Sequence, residues 1–198
     1  MELDDWKDQT PPAQIEGWDY FDSITPRDNA KPYFAEVIPN EQKLIQTCRQ
    51  LPKYIYRTHE FNALRDCWKY SSSFLLQLYE PEVIIRMFNA WGVLTMTQDE
   101  FDYLQQLPDK ITIFRGGDTA SAAANAFTWT LNKSVAVEYS TAGGREKIVA
   151  SANVRTSDVL ALYFDDMEIV VAPSNLENVC RAAEQHCADT AVMANGAS

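Results

Sequence analysis

The spacing of apolar residues changes near residue 108 and divides the chain into a helical part and a strand-rich part. Before this point, apolar side chains recur every three or four residues, which is the period of one helical face. The pattern predicts helices over 41–51, through "HEFNALRDCWKYSSSFLLQLY", over 81–91 and over 97–107. Pro52 and Pro81 are expected to end the first two helices. Thr97 and Glu100 have the spacing of a capping box that opens the fourth.

After residue 108 the apolar residues alternate or run together, which is typical of β-strands. Strands are predicted in "KITIFRG", "AFTWTL", "EKIVASANV", "DVLALYF" and "EIVVAP". A short helix, "NKSVAVEYS", begins at the cap residue Asn132. A last helix is predicted in "NLENVCRAAEQHC", where Ser174 and Glu177 form a second capping box.

This order of elements indicates an α+β fold, because the helices precede the strands instead of alternating with them. Residues 1–39 are rich in proline, aspartate and aromatic residues and are predicted to form an irregular N-terminal arm. Residues 40–190 are predicted to form a single domain, helical over 40–108 and β-rich over 109–190. The aromatic residues expected to pack the arm are Trp18, Tyr20, Phe21 and Phe34.

The composition narrows the classes of partner. The 198 residues include 46% hydrophobic and 12% aromatic residues, which is enough to form a core. The formal net charge of −11 argues against sequence-independent binding of nucleic acid, because such binding needs basic residues to neutralise phosphates. The same charge disfavours anionic membranes, and no apolar run reaches membrane-spanning length.

The cysteines favour a reduced, cytoplasmic protein without a metal site. The four are Cys48, Cys67, Cys180 and Cys187. No CxxC pair occurs, and the cysteine and histidine spacing matches no zinc site. Cys180 and Cys187 would lie about 10 Å apart along the predicted last helix, too far to bridge. The acidic N-terminus lacks the apolar segment of a signal peptide.

Candidate chemistry begins in the first strand, "KITIFRGG". Because side chains alternate along a strand, Arg115 shares a face with Ile111 and Ile113 and would point into a cleft. Gly116 beside it allows the backbone to approach a ligand closely. An arginine placed in this way can bind phosphate or carboxylate through two hydrogen bonds. The alternative is an ordinary strand-end arginine whose stem covers apolar surface.

Two further stretches place polar residues on a strand face. In "AFTWTL", Thr128 and Thr130 share a face and can cross-link strands or orient a carboxylate, although an ordinary threonine-rich strand has the same pattern. In "FDDMEIVV", a strand beginning near Phe164 would place Asp166 and Glu168 on one face, about 7 Å apart. One carboxylate can then stabilise a sugar cation while the other positions an acceptor. The alternative is a solvated acidic turn.

The order of these three stretches resembles the ADP-ribosyltransferase superfamily, in its Arg–Ser–Glu, cholera-toxin-like branch and the compact form found in bacteria and phages. "FRG" resembles the arginine element at Arg115, "FTWTLNKSVAVEYS" the Ser-Thr-Ser element with Thr128 first, and "DME" the Glu-x-Glu element with Glu168 as the essential glutamate. The resemblance covers residues 108–173 and implies a split, mixed or antiparallel β-sandwich.

The resemblance also implies NAD⁺ as co-substrate and a role for each residue that binds it. Arg115 would hold the phosphates or the ribose beside them, and the Gly116 backbone would receive the nicotinamide amide. Thr128 would hydrogen-bond Glu168 and aim it, while Thr130 would brace the strands. Glu168 would stabilise the oxocarbenium ion that forms as nicotinamide leaves.

Two positions bear on the rest of the reaction. Tyr139, on the short helix, is expected to stack on nicotinamide. Asp166 stands where the family usually has Glu or Gln and would act on the acceptor side. The implied function is a mono-ADP-ribosyltransferase with a protein target, arginine being the leading acceptor, used as a phage or bacterial effector against a host factor. The alternatives are an NAD⁺ glycohydrolase and an inactive relative that acts by binding.

Overall fold

The protein divides into two compact units, Met1–Gln98 and Asp99–Ser198. The computed structural model describes residues 21, 23–32, 41–117, 119–141 and 148–182. The boundary between the units lies near residue 98, whereas the apolar pattern of the sequence changes near residue 108. The single domain predicted over 40–190 stays a prediction.

The described part of the first unit is helical. Its α-helices are α1 (Glu41–Arg49), α2 (Leu51–Thr58), α3 (Asn62–Leu78) and α4 (Pro81–Trp91). Pro52 and Pro81 lie in the first turns of α2 and α4, where the missing proline N–H costs no helical hydrogen bond. Each proline therefore lies inside the start of the next helix instead of only ending the one before.

The predicted N-terminal arm is described in part. Residues 24–32 contain neither helix nor strand, apart from a turn at 28–29. Phe21 is buried and its ring packs on Trp91 with the two centroids 4.8 Å apart. The other aromatic residues predicted to pack the arm, Trp18, Tyr20 and Phe34, lie outside the described residues. One of the four predicted anchors is therefore confirmed as part of the core.

The second unit combines short helices with a sheet. Its helices are α5 (Gln98–Gln106, whose first residue ends the first unit), α6 (Ala120–Ala124) and α7 (Lys133–Thr141). Its strands are β1 (Lys110–Gly117), β2 (Thr128–Thr130), β3 (Ile148–Arg155), β4 (Val159–Tyr163), β5 (Glu168–Val171) and β6 (Glu177–Arg181). Asn132 caps α7 as predicted, because its Oδ1 accepts from the Ser134 amide at 3.0 Å.

The six strands form a sheet in the order β4-β5-β2-β1-β3-β6, and each neighbouring pair is antiparallel. The predicted α+β class is confirmed. β1 pairs with β3 along its full length, from Lys110 opposite Arg155 to Gly117 opposite Ile148. In contrast, β1 meets β2 at one residue pair, Phe114 opposite Thr130. Among the neighbouring strands of the sheet, β1 and β2 therefore share the shortest run of paired residues.

The prediction of a last helix is wrong within the described residues. Glu177–Arg181 is strand β6, and Ser174 lies in the 3₁₀ turn Pro173–Asn175. β6 pairs with the outer edge of β3, and Glu177 also binds Lys110 of β1. Tertiary pairing with an open sheet edge outweighs the local capping signal. Cys180 consequently lies on a strand, while Cys187 lies outside the described residues.

The apolar faces of these elements form the cores of the two units. In the second unit, Trp129, Ile169 and Val171 are buried, as is Val170 on the other face of β5. β5 is therefore covered on both sides, which explains its continuous apolar sequence. Among the residues that the structure describes, no helix is long and apolar enough to cross a membrane.

Candidate active site

The three predicted motifs lie on three adjacent strands, in the order β5-β2-β1. In the β2–β5 register, Thr130 lies opposite Glu168 and Thr128 lies opposite Val170. Because directly opposite residues of an antiparallel pair project on the same side, Thr128, Thr130 and Glu168 share one face. The residue nearest Glu168 along β2 is Thr130, and Thr128, the predicted partner of Glu168, lies two residues further along.

Arg115 lies on β1, the other neighbour of β2. Because Phe114 pairs with Thr130, Phe114 lies on the face of the two threonines and Arg115 on the opposite face. Its guanidinium Nη1 donates a hydrogen bond to the main-chain oxygen of Thr128, and the side chain is half-buried. Burial lowers the pKa of Arg115, while the negative charge of Glu168 opposes this effect. The charge of Glu168 on β5 therefore acts on Arg115 across the intervening strand β2.

The acidic stretch before β5 is a turn, so the predicted strand beginning near Phe164 is wrong. Asp165–Met167 forms a 3₁₀ turn, and β5 begins at Glu168. The chain has to reverse here, because Tyr163 of β4 lies directly opposite Glu168 of β5. Asp166 adopts a left-handed backbone conformation with φ 55°, which aspartate tolerates better than most residues. Asp166 and Glu168 consequently do not share a strand face.

Hydrogen bonds from Thr130, the last residue of β2, and from Leu131, which follows it, hold this turn in place. The Thr130 hydroxyl donates to the main-chain oxygen of Asp166 at 2.6 Å and accepts from the Asn132 amide at 2.9 Å. The Leu131 amide donates to the main-chain oxygen of Met167 at 3.0 Å. Thr130 therefore links β2 to the turn that carries Asp166, a bracing role close to the one predicted.

Tyr139 of α7 approaches the same turn. Its hydroxyl donates to Asp166 Oδ2 at 2.8 Å, although 57% of the residue is exposed. This hydrogen bond, followed by burial and by the charges of Asp166 and Glu168, raises the pKa of Tyr139 to about 12. The predicted stacking on nicotinamide stays a prediction. The structure adds a contact that the sequence did not indicate, between the hydroxyl of Tyr139 and the carboxylate of Asp166.

Gly116 makes room for α7. A methyl group on its Cα would lie 2.5 Å from the main-chain oxygen of Ala136 and 2.6 Å from the amide nitrogen of Ser140. The helix backbone therefore rests directly on β1, and this packing requires glycine. The sequence suggested close approach of a ligand at this position, and the predicted contact of the Gly116 backbone with nicotinamide stays a prediction.

Sequence reasoning missed the part that Glu100 plays near the site. Its side chain is 1% exposed, and its Oε1 accepts a hydrogen bond from the Phe164 amide at 2.9 Å. Phe164 begins the turn that carries Asp166. The sequence signal was a glutamate in the first turn of a helix, and its spacing from Thr97 favoured a capping role. Its contact with a residue 64 positions later could not be predicted from the residues around Glu100.

The described residues bring together one guanidinium, two threonine hydroxyls, a phenol and two carboxylates. No group of three or more His, Cys, Asp or Glu side chains in the described part of the chain could hold a metal ion. No family model, curated protein or solved structure matches the chain. The chemistry of these side chains and the geometry of their strands are therefore the basis for a functional proposal.

Proposed function

We propose that the protein is a mono-ADP-ribosyltransferase that cleaves NAD⁺ at the bond between nicotinamide and ribose. The observation that carries the proposal is the position of Arg115, Thr128 and Glu168 on the adjacent strands β1, β2 and β5. The three residues were identified from separate stretches of sequence. Antiparallel pairing and an Arg115–Thr128 hydrogen bond bring them to one part of the sheet.

The proposed reaction depends on a fixed negative charge beside the departing nicotinamide. As the glycosidic bond breaks, positive charge builds on the ribose as an oxocarbenium ion. A carboxylate held beside this ring stabilises the transition state more than the ground state. We assign this role to Glu168, the half-buried first residue of β5. Carboxylates serve the same purpose in glycoside hydrolysis.

Arg115 supports the proposal as a group that would bind the pyrophosphate of NAD⁺ or the ribose beside it. The guanidinium is half-buried and interacts with the charge of Glu168. A partly desolvated guanidinium binds phosphate oxygens more strongly than an exposed one. The single residue pair between β1 and β2 also fits a sheet that splits into the two halves of a sandwich, with Arg115 at the split.

Asp166 supports a protein acceptor, with arginine as the leading choice. Its carboxylate is exposed on the turn directly before Glu168 and already accepts a hydrogen bond from Tyr139. An incoming guanidinium could donate to the same carboxylate. A bond would then form between a guanidinium nitrogen and C1′ of the ribose, and the guanidinium would release one proton. Nicotinamide would leave with the electron pair of the broken bond.

The proposed setting is the cytoplasm of a bacterium or of an infected cell, where the protein would modify a host factor as a phage or bacterial effector. NAD⁺ is a soluble cytoplasmic metabolite, and the reaction needs no metal in its proposed form. The net charge of −11 favours a basic region on the acceptor protein, since opposite charges speed association.

The test is incubation of the protein with NAD⁺ labelled in the adenylate part and with bacterial lysate. Wild type should place label on a macromolecule and release nicotinamide. Glu168→Gln removes the charge at nearly constant shape and should lower turnover by about 10²–10³-fold. Asp165→Asn is the matched control, because it removes an exposed carboxylate from the same stretch.

The outcomes separate the proposal from its rivals. Free ADP-ribose without labelled protein would identify a glycohydrolase, in which water is the acceptor. Absence of any turnover, together with calorimetric binding of NAD⁺, would favour an inactive binding protein. Normal turnover by Glu168→Gln would remove Glu168 from the reaction.

A further inference from the structure

Glu100 is the one charged side chain among the described residues that is buried. A buried carboxylate is costly unless hydrogen bonds replace its water. Its Oε1 accepts from the Phe164 amide at 2.9 Å, and it lies in the first turn of α5, where the helix dipole favours negative charge. These contacts make burial of the carboxyl group tolerable, and they direct one oxygen at the beginning of the Asp165–Met167 turn.

The turn is therefore held at both ends. At its beginning, Glu100 binds the Phe164 amide, and the Phe164 ring packs edge-on against Tyr103, one helical turn further along α5, with the centroids 5.7 Å apart. At its end, the Leu131 amide binds the main-chain oxygen of Met167. The next residue is Glu168. Movement at the beginning of this short connection would shift Asp166 and the start of β5.

We propose that Glu100 is a positioning residue that sets Asp166 and Glu168 for the reaction by fixing the beginning of this turn. The catalytic part of the inference rests on the proposed function. Displacement of a reacting group by about 1 Å can cost about 10²-fold in rate. Glu100 touches neither the donor nor the acceptor in this scheme.

Three substitutions at one position separate hydrogen bonding from charge. Glu100→Gln keeps an oxygen at the same reach, and Glu100→Met has a similar length but no strong acceptor. Glu100→Met should lower kcat for NAD⁺ by about 10–100-fold with a much smaller change in KM, whereas Glu100→Gln should stay within about threefold of wild type. Asp99→Asn is the control, because it removes an exposed carboxylate from the same helical turn. It should leave both constants unchanged.

Glu100→Asp keeps the comparison possible if Glu100→Met does not fold. It retains the charge but is shorter by one methylene group, so it should also lower kcat. Folded Glu100→Met or Glu100→Asp protein with wild-type kcat would overturn the inference. So would equal losses in Glu100→Gln and Glu100→Met, since these would point to the charge and not to the hydrogen bond.

A second measurement does not depend on activity. Amide hydrogen exchange at Phe164 and Leu131, followed by NMR, reports on the two ends of the turn. Exchange at both should be at least tenfold faster in Glu100→Met than in Glu100→Gln and Asp99→Asn. If wild type does not turn over NAD⁺, the proposed function fails, while this exchange still decides whether Glu100 holds the turn. Equal exchange in all three variants would overturn the inference even if the enzyme is active.

Discussion

Asp166 is fixed through both its backbone and its side chain. Its main-chain oxygen accepts from Thr130, and its carboxylate accepts from Tyr139. The left-handed backbone at φ 55° places the residue in a region that glycine, asparagine and aspartate occupy most readily. The turn therefore constrains the identity of this residue, independently of any acceptor.

Titration of Tyr139 tests this local geometry. The neutral phenol is the form that donates to Asp166, so its pKa is raised from 10.0 to about 12. The stability from this contact is therefore complete below pH 10 and is lost as the pH rises toward 12. Asp166→Gly removes the carboxylate and suits the positive φ, and it should return the Tyr139 pKa toward 10.0. NMR of tyrosine labelled at Cζ measures the titration, with Tyr139→Phe identifying the signal.

Asp165→Asn is the matched control for this titration. It removes the neighbouring exposed carboxylate, and the Tyr139 pKa should stay close to its wild-type value. A Tyr139 pKa near 12 in Asp166→Gly would show that the hydroxyl does not bind Asp166 in solution. The Tyr139–Asp166 contact would then have no part in acceptor choice.

At the scale of elements, α7 connects the three strands of the candidate site. It follows β2 directly, its backbone rests on β1 at Gly116, and its Tyr139 reaches the turn before β5. The two glycines at the end of β1 differ in surroundings. Gly116 lies against the backbone of α7, whereas a methyl group on Gly117 would meet no atom within 4 Å.

Alanine substitution at the two glycines tests the packing of α7 on β1. Gly116→Ala should lower the free energy of unfolding by about 1–3 kcal/mol, because a methyl group in a well-packed contact forces backbone to move. Gly117→Ala should change it by less than about 0.5 kcal/mol, the usual range of surface substitutions. Urea denaturation measures both. Equal stability of the two variants would contradict the close approach of α7.

The strands show where local signals were sufficient. β1 to β5 were identified from alternation and β-branched residues, and their approximate positions are confirmed. The two errors concern the segments next to sheet partners. The acidic turn exists because β4 and β5 pair as a hairpin, and β6 exists because β3 offers an open edge. Both outcomes depend on a partner strand that a local window of sequence does not contain.

At the scale of the whole molecule, binding of NAD⁺ should stabilise the folded protein. At an NAD⁺ concentration 100 times the Kd, linkage adds about 2.7 kcal/mol, which should raise Tm by several degrees. Arg115→Ala should abolish this increase at the same concentration, because it removes the proposed phosphate ligand. Glu168→Gln should keep most of it, because its main loss is in the transition state. Thermal denaturation followed by circular dichroism measures these shifts.

Arg155→Ala is the control for the loss of positive charge. It removes an exposed arginine from the neighbouring strand β3, so the stabilisation by NAD⁺ should remain. An equal increase of Tm in wild type and Arg115→Ala would place Arg115 outside the binding site. Its hydrogen bond to the Thr128 oxygen would then be its main contribution to the fold.

The sequence by itself determined the element types and the candidate chemistry. Apolar residues recur at the period of the element they belong to, and turn and cap residues mark its ends, so most helices and strands could be predicted locally. Arg115, Thr128, Thr130 and Glu168 drew attention as polar residues in otherwise apolar strands, and their expected roles came from the resemblance of the three stretches to ADP-ribosyltransferases. The residues that form each of these patterns lie close together along the chain.

Only the tertiary structure decided how these residues meet. Strand register placed Thr130 and not Thr128 opposite Glu168. The β4–β5 hairpin placed Asp166 in a turn and not on a strand face. The backbone of α7 packs directly against Gly116. The burial of Glu100 against Phe164 depends on a helix and a turn far apart in sequence. Strand register, hairpin formation and burial depend on contacts between segments far apart in sequence. The free energies of these contacts cannot be predicted from a local pattern of residues.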